Sequence, residues 1–462
     1  MKRFMPFMSF ISVTTFVFFC ANAVATDSSI LTLEEAITAA VKQDPWLKGS
    51  QYNENAIMAN SVAASTLPDP VVSIGLANLP TDGFAFDQEP MTQLKAGVSQ
   101  MFPRGDSLDI RRRQLQELAK QHPIMRQDRI AKTTLAVSIK WLEIFRAQQT
   151  IGLIEQDRSL FEQLGEVAKA SYSSAVGKVR QQDIVRAQLE LTRLEDRLTQ
   201  LHSQKEQATA QLLEWLSDEA AWPSSSLSYQ QNIDLPVSAP TIRPLYLNAQ
   251  GELESGNIQT LANLLNNHPY VQAIEQKIEA SKTGIDLAKQ QYKPQWGVNA
   301  SYAYRADDQI GRSRADFISV GVTFDVPLFT NNKQDQEVSA AISQTEAIKT
   351  EKRLALRALL SQLQSAYAAH QRLLQRAALY KTDILVQMSD QAEASLTAYT
   401  NDDGDFSEVV RARIAVLNAQ ISSLRIDIDV LKTVARINYF FADAESKASQ
   451  TDFDTRTNTG AR

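Results

Sequence analysis

Between Asn332 and Thr400 the chain carries neither proline nor glycine. That run predicts one helix of roughly 100 Å at 1.5 Å rise per residue, several times the usual helix length. After a cluster of turn formers, Thr400 to Asp405, the chain predicts a second helix running straight back. On it Val410, Ile414, Leu417, Ile421, Leu424, Ile428 and Leu431 alternate steps of four and three residues, the 3.5-residue period of a coiled-coil seam. A hairpin of that length must lie against others like it.

Residues 1–25 have the plan of a secretory signal peptide. Lys2 and Arg3 are the basic start, Phe7 to Phe19 the apolar core, and Ala23-Val24-Ala25 the small-residue cleavage site. Cys20 belongs to the apolar core, where Phe18 and Phe19 are poor company for lipoprotein processing. Cleavage would remove two of the 47 basic residues and the one cysteine, giving a net charge of about −8. Disulfides and thiolate metal sites are then excluded, and the acidic balance argues against a nucleic-acid partner. No later segment has eighteen consecutive apolar residues, so any membrane crossing must use strands.

The remaining chain reads as one plan written twice. At a fixed offset of 224 residues, Pro45 matches Pro269, Pro70 matches Pro294, Gly97 matches Gly321 and Pro103 matches Pro327. Proline and glycine fix backbone breaks that cannot slide, so this register argues for duplication. The first repeat spans 26–220, with strands near 70–78 and 92–102 and a hairpin at 107–216. A connector at 221–255 leads to the second repeat at 256–441, with strands near 295–304 and 315–326 and a hairpin at 331–441. Residues 442–462 form a flexible tail. The fold class is mainly α with a small β part.

Each predicted strand alternates apolar and polar residues. One face carries Val72, Ile74, Leu76, Leu94, Val98, Trp296, Val298, Tyr302, Ile318, Val320 and Val322; the other carries Ser73, Lys95, Ser99, Asn299, Ser301, Ser319 and Thr323. Such alternation suits a lipid-facing barrel strand and equally a soluble sheet on a core. The setting, a secreted and mostly helical chain, favours the barrel. Four strands cannot close one and lipid does not tolerate open edges, so several copies must contribute.

Signal peptide, duplicated strand pairs, long hairpins and two tips of the form Tyr-x4-Gly together resemble the outer-membrane efflux protein family (TolC-like). The resemblance covers about residues 30 to 441. The first tip runs from Tyr172 to Gly177 and continues into Asp183-Ile184-Val185-Arg186-Ala187. The second runs from Tyr399 to Gly404 and continues into Glu408-Val409-Val410-Arg411-Ala412. The resemblance implies a homotrimer whose twelve-stranded barrel in outer-membrane lipid is continued by a helical barrel through the periplasm of a Gram-negative bacterium. It further implies a periplasmic adaptor docked on the tips around Tyr172, Gly177, Tyr399 and Gly404, and an inner-membrane pump supplying the energy.

The resemblance also implies a closed periplasmic entrance lined by Asp183 and Glu408. Arg186 and Arg411 stand where a second acid is possible, which suggests acid–arginine pairs locking that gate. Asp402, Asp403 and Asp405 either join the gate or form a solvated turn. Leu67-Pro68-Asp69-Pro70, Asn78-Leu79-Pro80 and Gln100 to Gly105 resemble the heavy-metal cation efflux branch. The four histidines, His122, His202, His268 and His370, lack ligand spacing. No nucleophile elbow, P-loop, zinc-protease helix or dinucleotide fingerprint occurs, so neither catalysis nor a cofactor is expected. Two other readings stay open: the channel of a protein-secretion system, and a soluble periplasmic coiled-coil scaffold capped by the short strands.

Overall fold

The computed structural model describes residues 30–173, 181–216, 233–248, 251–253, 257–401 and 403–442. The signal peptide, Gly177 with most of the first tip, Asp402, most of the connector and the tail lie outside the described residues. Two short helices open the first half, α1 (Leu33–Gln43) and α2 (Pro45–Ala63). Strands β1 (Val71–Ala77) and β2 (Gln93–Phe102) follow, then helices α3 (Ser107–Ala119), α4 (Gln121–Ser173) and α5 (Gln181–Leu216). The order recurs with α6 (Ile258–Asn266), α7 (Pro269–Lys289), β3 (Trp296–Tyr304) and β4 (Phe317–Phe324). The last hairpin is built from α8 (Gln334–Leu379), α9 (Leu385–Thr400) and α10 (Phe406–Tyr439).

Local chemistry explains the boundaries. Thr32 and Glu35 close a reciprocal capping box at the start of α1: the Glu35 N–H donates to Thr32 Oγ1 at 3.3 Å, and the Thr32 N–H to Glu35 Oε2 at 2.9 Å. Asp44 and His268, 224 residues apart, each cap a helix whose first residue is proline, where the missing N–H costs nothing. Both expected outgoing arms are interrupted. The first breaks at Lys120, because the ring of Pro123 opposes a helical bond to the Ala119 carbonyl four residues back. The second, read from the sequence as a single helix, contains one π turn at Tyr380–Ile384. There Lys381 reaches Asp427 on α10 at 2.9 Å. A π turn inserts an extra residue and so rotates the apolar stripe beyond it.

The seven-residue seam of α10 lies in the core. Val410, Leu417 and Ile428 are buried, and Ile414, Ile421, Leu424 and Leu431 pack beside them. Towards the tips they meet Ile151, Ile154, Phe161 and Leu164 of α4 and Leu194 and Leu198 of α5, which joins the two hairpins. Midway, Trp141 stacks on Phe145 at 5.4 Å and its indole N–H donates to the Leu31 carbonyl at 3.0 Å. A third cluster seats α6 and the Leu247 segment on α8 and the end of α10.

The four strands form one antiparallel sheet in the order β1-β2-β3-β4. Each half contributes one strand pair, and the halves join through β2 and β3, where Val98 faces Ala300 and Phe102 faces Trp296. β1 and β4 are the sheet's two edges.

Burial lowers the His370 pKa from 6.5; its Nδ1 lies 3.0 Å from the Thr433 hydroxyl. A folded pKa below the unfolded one means the unfolded chain binds more protons, so stability falls as pH drops below about 6.5. The slope is at most about 1.4 kcal/mol per pH unit. His370→Gln should lose less stability between pH 7 and pH 5 than the wild type, read from urea midpoints followed by circular dichroism. Equal losses in both would remove His370 as the source. Part of the loss should persist, because burial lowers the His122 pKa as well.

Candidate membrane face and hairpin tips

Directly paired residues on neighbouring strands share a face, so the register decides which side chains stand together. Val72 pairs with Val98, Ile74 with Ala96 and Leu76 with Leu94. Ala96 then pairs with Tyr302, Val98 with Ala300 and Phe102 with Trp296. Tyr302 pairs with Ile318, Ala300 with Val320 and Val298 with Val322. All eleven apolar residues singled out in the sequence therefore share one face. Nothing among the described residues covers it: Ile74, Ile318 and Val320 are 76%, 78% and 74% exposed. Gln100, paired with Val298, is the polar exception on this face, and its amide donates to the Pro68 carbonyl at 2.7 Å. Contiguous exposed apolar surface on this scale marks an interaction site.

The opposite face carries mostly small and polar residues, with Met101 and Phe317 near its ends. Gly97 stands between Ser73 and Ser301, and a Cβ there would lie 3.1 Å from the Ser73 hydroxyl. Lys95 lies on this face, between Gly75 and Ala303.

Where the strands meet the helices, side chains from both halves form a clamp. Arg104 forms an ion pair with Asp325 and also donates to the Lys293 carbonyl at 2.7 Å. Lys293 pairs with Asp106 at 3.0 Å, and Asp325 accepts the Gln295 N–H at 2.6 Å. Gly105, at φ +48°, turns the chain beneath this clamp, a conformation that favours glycine. The sequence offered Arg104 only as part of a short motif; the partnership spans 221 residues, a separation that no local pattern reveals.

A second polar cluster was equally invisible. Asp44 accepts from Arg129 at 2.7 and 3.3 Å, and the guanidinium lies 5.9 Å from the Trp46 ring and 5.2 Å from the Trp215 ring. Nearby, the Tyr439 hydroxyl donates to Asp128 at 3.1 Å. Burial first, and then the Asp128 charge, push the Tyr439 pKa upward, so the phenol stays protonated. These contacts fasten α4 to α2 and to the end of α10.

The tips receive more specific roles than the sequence assigned. Tyr172 is exposed on the last turn of α4, whereas Tyr399 is half-buried with its ring 5.7 Å from Phe406. Asp405 caps α10 by accepting the Ser407 N–H at 3.0 Å, and the exposed Asp403 donates its N–H to the Ala398 carbonyl at 2.9 Å. Asp183 is buried in the first turn of α5, while Arg186 beside it is exposed. Arg411 and Glu408 do pair, at 3.0 Å, but along one helix and with both side chains exposed. A pair of that kind contributes little and ties no two helices together.

Residues 260–438 match the sequence model of the family described as "Outer membrane efflux protein". The resemblance to that family read from the strand pairs and tips therefore holds. No curated protein matches the chain. Among solved structures, the chain is similar to the outer-membrane channel OprN, with a TM-score of 0.70, 15% identity and coverage of 89% of this chain and 89% of that one. It is similar to CusC, in a structure described through transmembrane channel formation, with a TM-score of 0.71, 12% identity and coverage of 88% and 91%. The Campylobacter jejuni CmeC outer membrane channel gives a TM-score of 0.69 at 12% identity, covering 90% and 88%. The chain has the fold of these channels along nearly its whole length.

A Cβ on Gly404 would sit 2.6 Å from the Tyr399 backbone nitrogen, a clash that only backbone movement relieves. Gly404→Ala should weaken the second tip by about 1–3 kcal/mol, seen as faster amide exchange from Tyr399 to Phe406. Gly49→Ala, whose Cβ meets nothing within 4 Å, is the control and should leave exchange at the tip unchanged. Equal exchange in both variants would contradict the steric reading.

Proposed function

We propose that this chain is the outer-membrane exit duct of a tripartite efflux system. Three copies each give four strands to a twelve-stranded barrel, and their hairpins continue it as a periplasmic tunnel. The observation that carries this reading is the sheet itself: an uncovered apolar face across all four strands, with β1 and β4 left as edges. In hydrocarbon an unpaired strand edge costs several kcal/mol per peptide group, so closure by further copies is the arrangement that satisfies both face and edges. A soluble scaffold would leave the same valines, isoleucines and aromatic rings in water.

In this reading residues 26–220 and 256–441 are two copies of one unit. The tips around Tyr172 and Tyr399 meet a periplasmic adaptor, and an inner-membrane pump supplies the energy while the duct conducts passively. The tips also form the narrow end, with Glu408 and Arg411 exposed at the start of α10 and Asp183 inside the helix packing. A metal-cation cargo has no ligand cluster behind it: among the described residues no group of three or more His, Cys, Asp or Glu is placed to hold a metal.

The test is planar-bilayer conductance of the detergent-extracted protein, with crosslinked mass measured alongside. Trimeric mass and discrete channels are expected; a monomer that high salt washes from membranes, with no channels, would sink the reading. Arg411→Glu replaces the Glu408–Arg411 pair with two like charges one turn apart, three times over in a trimer. Repulsion between the copies' acidic residues at the narrow end should then raise single-channel conductance, whereas unchanged conductance would remove this pair from the gate.

A further inference from the structure

We propose that Lys95, in three copies, forms a positive ring inside the barrel and makes the outer-membrane segment of the duct favour anions over cations. This rests on the reading above, in which three chains close the barrel and the polar face of the sheet turns inward.

Lys95 is the one ionisable acid or base among the charged residue types in the four strands: Val71–Ala77, Gln93–Phe102, Trp296–Tyr304 and Phe317–Phe324 contain no Asp, Glu or Arg and no other Lys. The register puts it on the same face as Ser73, Gly97, Ser301 and Ser319, opposite Gly75 on one side and Ala303 on the other. Those neighbours are too short to cover it, and Lys95 is exposed. Of the charges bordering the sheet, those at the helical end pair with one another. Arg104 pairs with Asp325 and Lys293 with Asp106 at the helical end. At the loop end the Arg305 backbone N–H donates to Asp316, while its guanidinium donates to the Ala315 and Pro90 carbonyls and lies 4.0 Å over the Phe317 ring. Between those rims Lys95 is the fixed charge of the wall.

The size of the barrel lets that charge act across the lumen. Twelve strands spaced about 4.8 Å apart and tilted about 40° close at a radius of roughly 12 Å. An extended lysine reaches roughly 6 Å inward, so each ammonium stands about 6 Å from the axis. The screening length is about 10 Å in 0.1 M salt and about 3 Å in 1 M salt. At the lower salt the three fields overlap at the centre, and a passing cation meets them all; at the higher salt they stay close to the wall. Roughly a threefold to tenfold preference for chloride over potassium through this segment follows. The favoured cargo class is accordingly anionic or anion-complexed compounds rather than free metal cations.

Reversal potentials in a KCl gradient near 0.1 M test the ring. Lys95→Gln should move the chloride-to-potassium permeability ratio severalfold towards potassium, Lys95→Glu further, and Lys95→Arg should leave it unchanged. The shift caused by Lys95→Gln should vanish near 1 M KCl. Gly75→Glu is an independent route, because it faces Lys95 directly and a Cβ there meets nothing within 4 Å. It should neutralise the ring and move the ratio in the same direction as Lys95→Gln, even if the lysine variants fail to insert. Open channels whose ratio ignores all these changes would overturn the ring while leaving the duct intact. A wild-type protein that forms no channel at all would instead overturn the reading beneath it.

Discussion

Backbone hydrogen bonding in a solvent that offers none is the constraint on which the rest of this architecture turns. Four strands satisfy each other internally through β1-β2-β3-β4 and leave two edges. Water would satisfy the N–H and C=O groups of those edges; hydrocarbon would not. In the proposed trimer the uncovered apolar face meets hydrocarbon, which then requires further strands from further copies. The helices follow from the same demand. The clamp of Arg104, Asp325, Lys293 and Asp106 ties both strand pairs to helices α3 and α7, so closing the sheet with neighbouring copies also draws their hairpins together.

The long hairpins answer a second constraint. A helix of 53 residues such as α4 cannot be held by local propensity alone; it needs an apolar stripe facing another stripe along its length. The α10 seam provides that, with Val410 and Leu417 shared among α4 and α5 near the tips and Ile428 beside Trp141 further up. Caps and prolines fix how the chain enters and leaves the elements, while ion pairs such as Lys352–Glu275 and Lys432–Glu143 tie neighbouring helices along their lengths.

What could be read from the sequence divides along the same line. Periodic features were legible because their period is the structure: the seam of α10, the alternating strands, and the prolines that start α2 and α7. The register that puts all eleven apolar strand residues on one face follows from that alternation. Features that depend on partners far away in the chain were not legible. Asp405 looked like one more acid in a charged turn and is a helix cap. Asp183, aligned by resemblance with a gate, is buried at the start of α5. The π turn at Tyr380–Ile384 has no sequence punctuation at all, since neither glycine nor proline marks it. Pairs such as Arg104 with Asp325, or Asp44 with Arg129, join residues that no local window contains.

The two ends of the proposed duct differ in the way they hold charge, and this bears on what could pass. Among the described residues of the tips, Glu408 pairs with Arg411, Asp405 caps a helix N-terminus and Asp183 is covered, while Asp403 stays exposed. Charge arranged in pairs and caps serves the shape of the tip and leaves little net field along an axis. In the sheet the reverse holds, because Lys95 stands directly opposite Gly75 and Ala303. An unpaired charge on a wall of small residues projects its field across the space in front of it. In the proposed duct the strand wall, where Lys95 stands opposite glycine and alanine, is where cargo is sorted by charge.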